Sequence, residues 1–202
     1  MQIQEMIKAV QKALGVEADG RAGPETWGAI YAALVKPTIG RKPPALAISK
    51  VDDRSESNIA TLLPEVQPMA RALVQKAADS GITIKVIGGT RSYEQQDALY
   101  ARGRTAPGAI VTKARGGYSN HNFGIAFDIG VFSGGRYLPE SPQYKAVGAL
   151  GMELGLEWGG NWTSLVDQPH FQLRPAWAAD MSEREMLAEL RGRVSDGTPA
   201  YA

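Results

Sequence analysis

The apolar positions of the first three dozen residues follow two helical patterns, which a glycine-rich turn separates. In the first pattern, apolar residues recur every three to four positions from Ile3 to Leu14, the spacing of one helical face, and Gly15 provides a stop. A second helix is predicted over 24–34, with Pro24 near its first position. The Asp-Gly and Gly-Pro steps between the two require a tight, ordered turn. Residues 1–36 are therefore predicted to form a small all-α module.

A proline-rich segment ends this pattern, and a different one follows. Residues 37–45 contain three prolines, which suits a semi-stiff linker. Beyond it, helical and alternating patterns mix without a regular βαβ order, which favours an α+β domain over 46–180 with a small, mainly antiparallel sheet flanked by helices. Residues 181–202 are predicted to hold a short helix over 183–191, which Ser182 and Glu185 would cap, and then a frayed tail. The domain's predicted helices are 64–80, 93–101 and 142–154, and its predicted strands are 82–87, 124–131 and 170–173.

Composition excludes several kinds of partner. The chain has 202 residues, 44% of them hydrophobic, which is enough for one medium domain and a small satellite. Its formal net charge of +1 provides no basic field for nucleic acid. It contains no uninterrupted apolar run of about 18 residues, so we expect no membrane insertion. Its first residues lack a basic leader followed by an apolar stretch, so we expect a protein made in a cytoplasm without a signal peptide.

The counts of cysteine and histidine restrict the possible metal chemistry. There is no cysteine, and His121 and His170 are the two histidines. Disulfides, a cysteine nucleophile, thiolate-bound zinc and sites with three imidazoles are thereby excluded, and at least one ligand of a transition metal should be a carboxylate. Asp128 lies in an otherwise apolar predicted strand, where an unpaired carboxylate is costly to bury. Taken singly, each histidine would more often be a surface or core residue, but together with Asp128 they form a three-ligand set that leaves zinc a fourth position for water.

Several ordered motifs resemble one family of zinc peptidases. Ser-x-His-x-x-Gly-x-Ala-x-Asp at 119–128 precedes Asp-x-Pro-His-Phe at 167–171, and further matching segments occur at 88–100 and 158–162. This order is similar to that of the D-Ala-D-Ala carboxypeptidases, VanY-type enzymes and phage L-alanyl-D-glutamate endopeptidases, over about residues 60–176. The resemblance implies a hedgehog/DD-peptidase-like fold. The Asp-Gly-x-x-Gly-Pro-x-Thr-Trp run near the N-terminus resembles a small helical peptidoglycan-binding module.

The resemblance also implies roles for individual residues. It places one Zn²⁺ ion on His121, Asp128 and His170. Asp167 takes the position of the general base, the alternative being that it only caps a turn. Arg91 would stabilise the oxyanion or hold a substrate carboxylate, the alternative being a surface salt bridge. Ser119 would hydrogen-bond the substrate or orient the loop, whereas the tryptophans Trp158 and Trp162 are expected to pack around the cleft.

The function that this resemblance implies is that of a zinc-dependent, endolysin-like peptidase acting on bacterial peptidoglycan. It would hydrolyse the L-Ala-D-Glu amide bond of stem peptides by attack of a metal-activated water, as a monomer that reaches the wall after membrane breach and causes host cell lysis. One alternative is a D,D-carboxypeptidase that releases terminal D-Ala. Another, from a different class, is a catalytically inactive wall-binding protein, whose signature would be the loss of a ligand or of the base.

The basic residues between Arg102 and Arg115 are expected to form a solvated face or to attract wall carboxylates.

Overall fold

The computed structural model describes residues 3–34, 50–163 and 165–202. The chain divides into two compact units, Met1–Lys42 and Pro43–Ala202. The predicted linker, 37–45, lies outside the described residues, so the domain boundaries proposed above stay predictions. Within the described part, no helix is long and apolar enough to cross a membrane.

The N-terminal unit contains the two helices expected, α1 (Ile3–Leu14) and α2 (Pro24–Leu34). A buried polar side chain organises the turn between them. The Gln11 amide donates to Asp19 Oδ1 at 2.7 Å and to Thr26 Oγ1 at 2.9 Å, while its oxygen accepts from the Gly20 N–H at 2.9 Å. The apolar residues at the start of α1 stay largely exposed, as does Trp27 at 60%. Within the described part of this unit, polar contacts rather than an apolar core therefore hold the turn.

The second unit is built on an antiparallel sheet, as predicted. The strands follow the order β1-β2-β5-β4, and β3 pairs with the end of β2. The β2–β3 hairpin was not predicted; its turn consists of Gly134 and Gly135, both with the positive φ that a two-residue hairpin turn requires. The described strands are β1 (Thr83–Gly88), β2 (Ala126–Ser133), β3 (Arg136–Leu138), β4 (Glu157–Trp158) and β5 (His170–Gln172).

Five helices flank this sheet in the described part. The helix predicted over 64–80 is shorter and begins at Gln67, with a proline in its first turn, and the helix Asp53–Ile59 was not predicted. The last helix extends to Asp196 rather than ending near 191. The five are α3 (Asp53–Ile59), α4 (Gln67–Asp79), α5 (Tyr93–Ala101), α6 (Gln143–Glu153) and α7 (Glu183–Asp196), and short 3-10 helices occur at Asn120–Phe123, Gly159–Asn161 and Ala176–Ala178.

The main apolar core lies between the sheet and helices α4 and α6. Phe127 on β2 and Phe171 on β5 are fully buried in it, with ring centroids 5.8 Å apart in a stacked arrangement. Because successive strand residues point to opposite faces, the residues next to them, Asp128 and His170, lie on the other face of the sheet. The core thus holds in place strands β2 and β5, which carry Asp128 and His170.

The C-terminal tail is anchored, so the prediction of a frayed tail is wrong. Helix α7 buries Met186, Leu187 and Leu190 in a second apolar cluster with residues that flank the His121 segment. After the helix, the Tyr201 hydroxyl donates to the Leu173 carbonyl oxygen at 2.7 Å, and the Trp177 indole N–H donates to the Ala200 carbonyl oxygen at 2.8 Å. The physical reason is tertiary: the tail finds apolar and polar partners on segments that are distant in sequence.

Candidate metal centre and active site

Three side chains from separate segments converge on one point. His121 Nε2 lies 3.2 Å from Asp128 Oδ1 and 3.2 Å from His170 Nδ1, and His170 Nδ1 lies 3.4 Å from the same Asp128 oxygen. Within the described residues, these three form the group of histidine and carboxylate side chains that could hold a metal ion. The structure therefore brings together the three ligands that the sequence predicts.

Local structure explains why they meet. His121 lies in the 3-10 helix Asn120–Phe123, which Gly124 ends with a left-handed φ of 69°, and the chain then enters β2. Asp128 and His170 are direct partners in the antiparallel β2–β5 register. This register arises from the sheet rather than from either segment alone.

Hydrogen bonds on the far side of each imidazole direct its other nitrogen toward this point. His121 Nδ1–H donates to the Gly89 carbonyl oxygen at 2.8 Å, and His170 Nε2–H donates to Gln172 Oε1 at 3.0 Å. A carbonyl oxygen only accepts, so both of these ring nitrogens carry the proton in the neutral imidazole. The two nitrogens that face each other then carry lone pairs, which repel unless a cation lies between them.

The spacing of the three donor atoms suits zinc. A tetrahedral zinc ion with bonds of about 2.0–2.1 Å places neighbouring ligand atoms about 3.3 Å apart. The three observed separations are 3.2, 3.2 and 3.4 Å. Two imidazoles and one carboxylate are also a donor set that zinc accepts in catalytic sites. The residues present therefore fit a zinc ion.

The electrostatics of the site favour positive charge. Burial alone would raise the pKa of Asp128, but the charge of His121 and hydrogen bonds to both imidazoles outweigh burial and hold this pKa well below its usual range. Burial alone would lower the pKa of His170, but Asp128 outweighs it and the pKa is raised.

Asp167 lies on the loop that leads into β5. Its backbone N–H donates to the Gly159 carbonyl oxygen at 3.0 Å, and its own carbonyl oxygen accepts from the His170 N–H at 3.2 Å. Burial raises the pKa of its carboxyl, and the negative charge of Asp128 raises it further. In the described part of the chain, no hydrogen bond or ion pair engages this carboxylate, so no side-chain cap of a turn is found there. Its role as general base stays a prediction.

Arg91 and Ser119 flank the His121 segment. The Arg91 backbone N–H donates to the His121 carbonyl oxygen at 3.0 Å, and its Nη1 lies 3.5 Å from Asp128 Oδ2. Its Nε is buried without a hydrogen-bond partner in the described part of the chain. Ser119 directly precedes the 3-10 helix, and its backbone N–H donates to Asn122 Oδ1 at 3.3 Å. Arg91 is thus at the site itself, whereas Ser119 lies at its edge.

The two tryptophans have different places. Trp158 is 8% exposed in the main core, and its indole N–H donates to the Gln168 carbonyl oxygen at 2.8 Å. The Trp162 ring lies 4.8 Å from the His170 ring, centroid to centroid.

Of the basic residues between 102 and 115, Arg104 and Arg115 lie over the Tyr100 ring, with their guanidinium carbons 3.9 and 5.0 Å from the ring centroid. This stacking engages two of the cations that were expected on a solvated face.

Sequence reasoning missed the two hydrogen-bond acceptors that orient the imidazoles. The Gly89 carbonyl oxygen accepts from His121, and the Gln172 side-chain oxygen accepts from His170. The alternation of a strand was an available signal for Gln172, because residues two apart on a strand share a face and Gln172 follows His170 by two. No comparable local signal identifies Gly89, whose contact depends on how β1 ends beside the 3-10 helix.

The chain is similar to several known peptidases. A peptidase M15 family model described as D-alanyl-D-alanine carboxypeptidase matches residues 112–173. Over 124 residues the chain is 38% identical to the peptidoglycan L-alanyl-D-glutamate endopeptidase CwlK of Bacillus subtilis, a match spanning 56% of this chain and 74% of that protein. It is 32% identical over 124 residues to the L-alanyl-D-glutamate peptidase of Listeria phage A118, spanning 59% of this chain and 40% of that one. Among solved structures, the Serratia marcescens L-Ala D-Glu endopeptidase ChiX matches with a TM-score of 0.48 at 26% identity, over 64% of this chain and 93% of that chain.

Proposed function

This chain belongs to the peptidase M15 family of metallopeptidases, and we propose that it is a zinc-dependent peptidoglycan peptidase that hydrolyses the L-Ala-D-Glu amide bond of stem peptides. The observation that carries the proposal is the convergence of His121, Asp128 and His170 at separations suited to a tetrahedral ion, on a chain 38% identical to an L-alanyl-D-glutamate endopeptidase. The phage relative carries the same bond in its name. Both support the L-Ala-D-Glu bond as the substrate.

Each group at the site has a chemical part in this reaction. His121, Asp128 and His170 would hold a zinc ion, which would supply Lewis acidity and lower the pKa of a water molecule bound to it. Asp167 accepts the proton of the water that adds to the amide carbonyl carbon, and it delivers that proton to the leaving amine nitrogen as the C–N bond breaks. The raised pKa of Asp167 favours this exchange, because a carboxylate that is costly to keep ionised is a stronger base.

Arg91 completes the proposed machinery. Its side chain is 27% exposed while Nη1 contacts Asp128, so part of the guanidinium remains open to the substrate. We assign it to the carbonyl oxygen as negative charge develops there, or to a carboxylate of the stem peptide. Ser119, partly exposed at the start of the 3-10 helix, is proposed to hydrogen-bond the substrate or to orient the His121 segment.

The description of the matching family model favours a second candidate, the D,D-carboxypeptidase that releases terminal D-Ala. The two activities leave different products of the stem peptide. Digestion of purified peptidoglycan by the first yields new alanine C-termini and glutamate N-termini, whereas the second yields free D-Ala. Detection of free D-Ala without new glutamate N-termini would replace our proposal by the second candidate.

A matched pair of variants tests the catalytic assignment. Asp167→Ala should bind zinc and peptidoglycan yet lose hydrolysis, while Asp180→Ala, at an exposed aspartate, should keep full activity. If the Asp167 variant retains hydrolysis, another group is the base. If the unsubstituted, zinc-loaded chain binds peptidoglycan without cleaving it, the chain is a wall-binding protein that has lost activity.

The resemblance of residues 1–36 to a wall-binding module supports a further part of the proposal. We assign to this module the retention of the enzyme on bacterial peptidoglycan, and the phage relative supports an endolysin-like, bacteriolytic role after the membrane is breached. Deletion of residues 1–36 should reduce the fraction of protein that sediments with purified walls while hydrolysis of soluble fragments persists. Equal sedimentation of both proteins would remove the module from the proposal.

A further inference from the structure

A buried chain of polar side chains lies directly behind His170, on the side away from Asp128. It begins with Gln172, which is fully buried, and it reaches the surface at charged groups on β4, just after β5 and at the start of α7. We name it the His170 support, and it consists of Gln172, Asn120, Glu157, Arg174 and Glu183.

The amide of Gln172 has one possible orientation in this chain. Its Nε2–H donates to Glu157 Oε2 at 2.6 Å, while its Oε1 accepts from His170 Nε2–H at 3.0 Å. An ionised carboxylate only accepts, so the amide nitrogen must face Glu157 and the amide oxygen must face the imidazole. Asn120 Nδ2 donates to the same oxygen and excludes the flipped amide a second time.

Glu157 is itself held in place. Arg174 Nε donates to Glu157 Oε1 at 2.5 Å, and Arg174 Nη2 donates to Glu183 Oε2 at 2.9 Å. Arg174 therefore bridges two carboxylates, one on β4 and one on the C-terminal helix. Charged hydrogen bonds of this kind are stronger than neutral ones, so Arg174 holds the Glu157 carboxylate firmly at the Gln172 amide.

We propose that Gln172 is a positioning residue that keeps His170 protonated at Nε2 and so directs the Nδ1 lone pair at the metal site, with Glu157 and Arg174 fixing the Gln172 amide. This rests on the metal site of the proposed function and is independent of which bond is cleaved. Partners of this kind orient a ligating imidazole, and their removal lowers metal affinity by about 10- to 100-fold.

Zinc affinity of the folded protein tests the inference without reference to peptide hydrolysis. Gln172→Met keeps the length of the side chain but removes the acceptor, and competition against a chromophoric chelator should show zinc binding about 10- to 100-fold weaker. The matched control is Gln96→Met, because Gln96 is also a buried glutamine and donates to the Ala114 carbonyl oxygen at 2.9 Å, away from the ligands. The control should lose stability while its zinc affinity stays within about twofold of that of the unsubstituted chain.

A second readout is which ring nitrogen of neutral His170 carries the proton, because a merely structural role of Gln172 would not change it. In the zinc-free protein, at a pH high enough to keep the imidazole neutral, ¹⁵N shifts should show the Nε2–H form at His170, and Gln172→Met should shift this residue toward a mixture of the two neutral forms. If Gln172→Met does not fold, Glu157→Gln removes the charged acceptor that fixes the amide, and we expect zinc affinity to fall severalfold.

The inference is overturned if a folded Gln172→Met or Glu157→Gln variant binds zinc within twofold of the unsubstituted chain, or if His170 keeps the Nε2–H form without Gln172. It holds if affinity falls in these variants, whichever peptidoglycan termini are found. Failure of the proposed cleavage specificity and failure of this inference are thus separate results.

Discussion

Gly89 directly follows β1 and lies against the end of α3, and its carbonyl oxygen accepts a hydrogen bond from His121. A Cβ atom at this position would lie 2.3 Å from Thr61 Oγ1 and 2.5 Å from the Asn58 carbonyl oxygen. The same carbonyl group of Gly89 accepts the 2.8 Å hydrogen bond from His121 Nδ1. Gly89→Ala should therefore reduce both the stability of the domain and its affinity for zinc.

The size of the effect follows from these distances. Real Cβ atoms essentially never approach closer than 3.0 Å, so residue 89 must move by at least about 0.5 Å from Asn58 O. The Thr61 hydroxyl cannot rotate away freely, because it donates to the Asn58 carbonyl oxygen at 2.6 Å and accepts from the Thr90 N–H at 2.9 Å. Overpacking of this kind costs about 1–3 kcal/mol, and loss of an imidazole's orienting partner weakens metal binding by about 10- to 100-fold.

Urea unfolding of the zinc-free protein and chelator competition would measure the two effects. Gly192→Ala is the control, since a Cβ there meets nothing within 4 Å and the position is an exposed one in α7, where alanine should stabilise the helix by about 0.5–1 kcal/mol. Adding Thr61→Ala to Gly89→Ala should recover only part of the loss, because the Asn58 backbone remains. A Gly89→Ala protein with unfolding free energy within about 0.5 kcal/mol of the unsubstituted chain and unchanged zinc affinity would refute this account.

Three further predictions concern the tail, the base and the metal. Tyr201→Phe should cost about 1 kcal/mol in urea unfolding, because it deletes the 2.7 Å hydrogen bond to Leu173; an unchanged midpoint would contradict an anchored tail. The folded-state pKa of Asp167 is raised, so the folded state binds this proton more tightly than the unfolded state does. The free energy of unfolding therefore falls as pH rises from the ordinary aspartate pKa to the raised pKa of the folded state. Zinc-free Asp167→Asn should therefore melt higher than the unsubstituted chain at neutral pH, and the difference should vanish as pH falls below the ordinary aspartate pKa; a lower melting temperature at neutral pH would contradict it. Chelation should abolish hydrolysis and zinc should restore it, with zinc at 100 times its Kd stabilising the fold by about 2.7 kcal/mol; full activity of metal-free protein would exclude the metal from the reaction.

Local signals were sufficient for several elements. The helix Tyr93–Ala101 was predicted with its observed bounds, and the predicted start of α7 is confirmed by the Ser182 hydroxyl, which accepts from the Glu185 N–H at 3.3 Å. The three side chains that converge were predictable as candidate metal ligands because the chain offers two histidines and no cysteine, and because Asp128 is a carboxylate among apolar strand residues. These are properties of composition or of neighbours within one turn, so the sequence alone contains them.

Other features exist only once distant segments meet. The β2–β5 register places Asp128 opposite His170, and no periodicity within either strand determines that pairing. The His170 support draws its members from four separate segments, and the anchored tail depends on Leu173 and on the apolar cluster of α7. By itself the sequence determined which residues can bind zinc. The tertiary structure decided how their nitrogens point. The partner of His121, Gly89, lies on a distant segment, and the partner of His170, Gln172, has its amide oriented by Asn120 and Glu157 from two other segments.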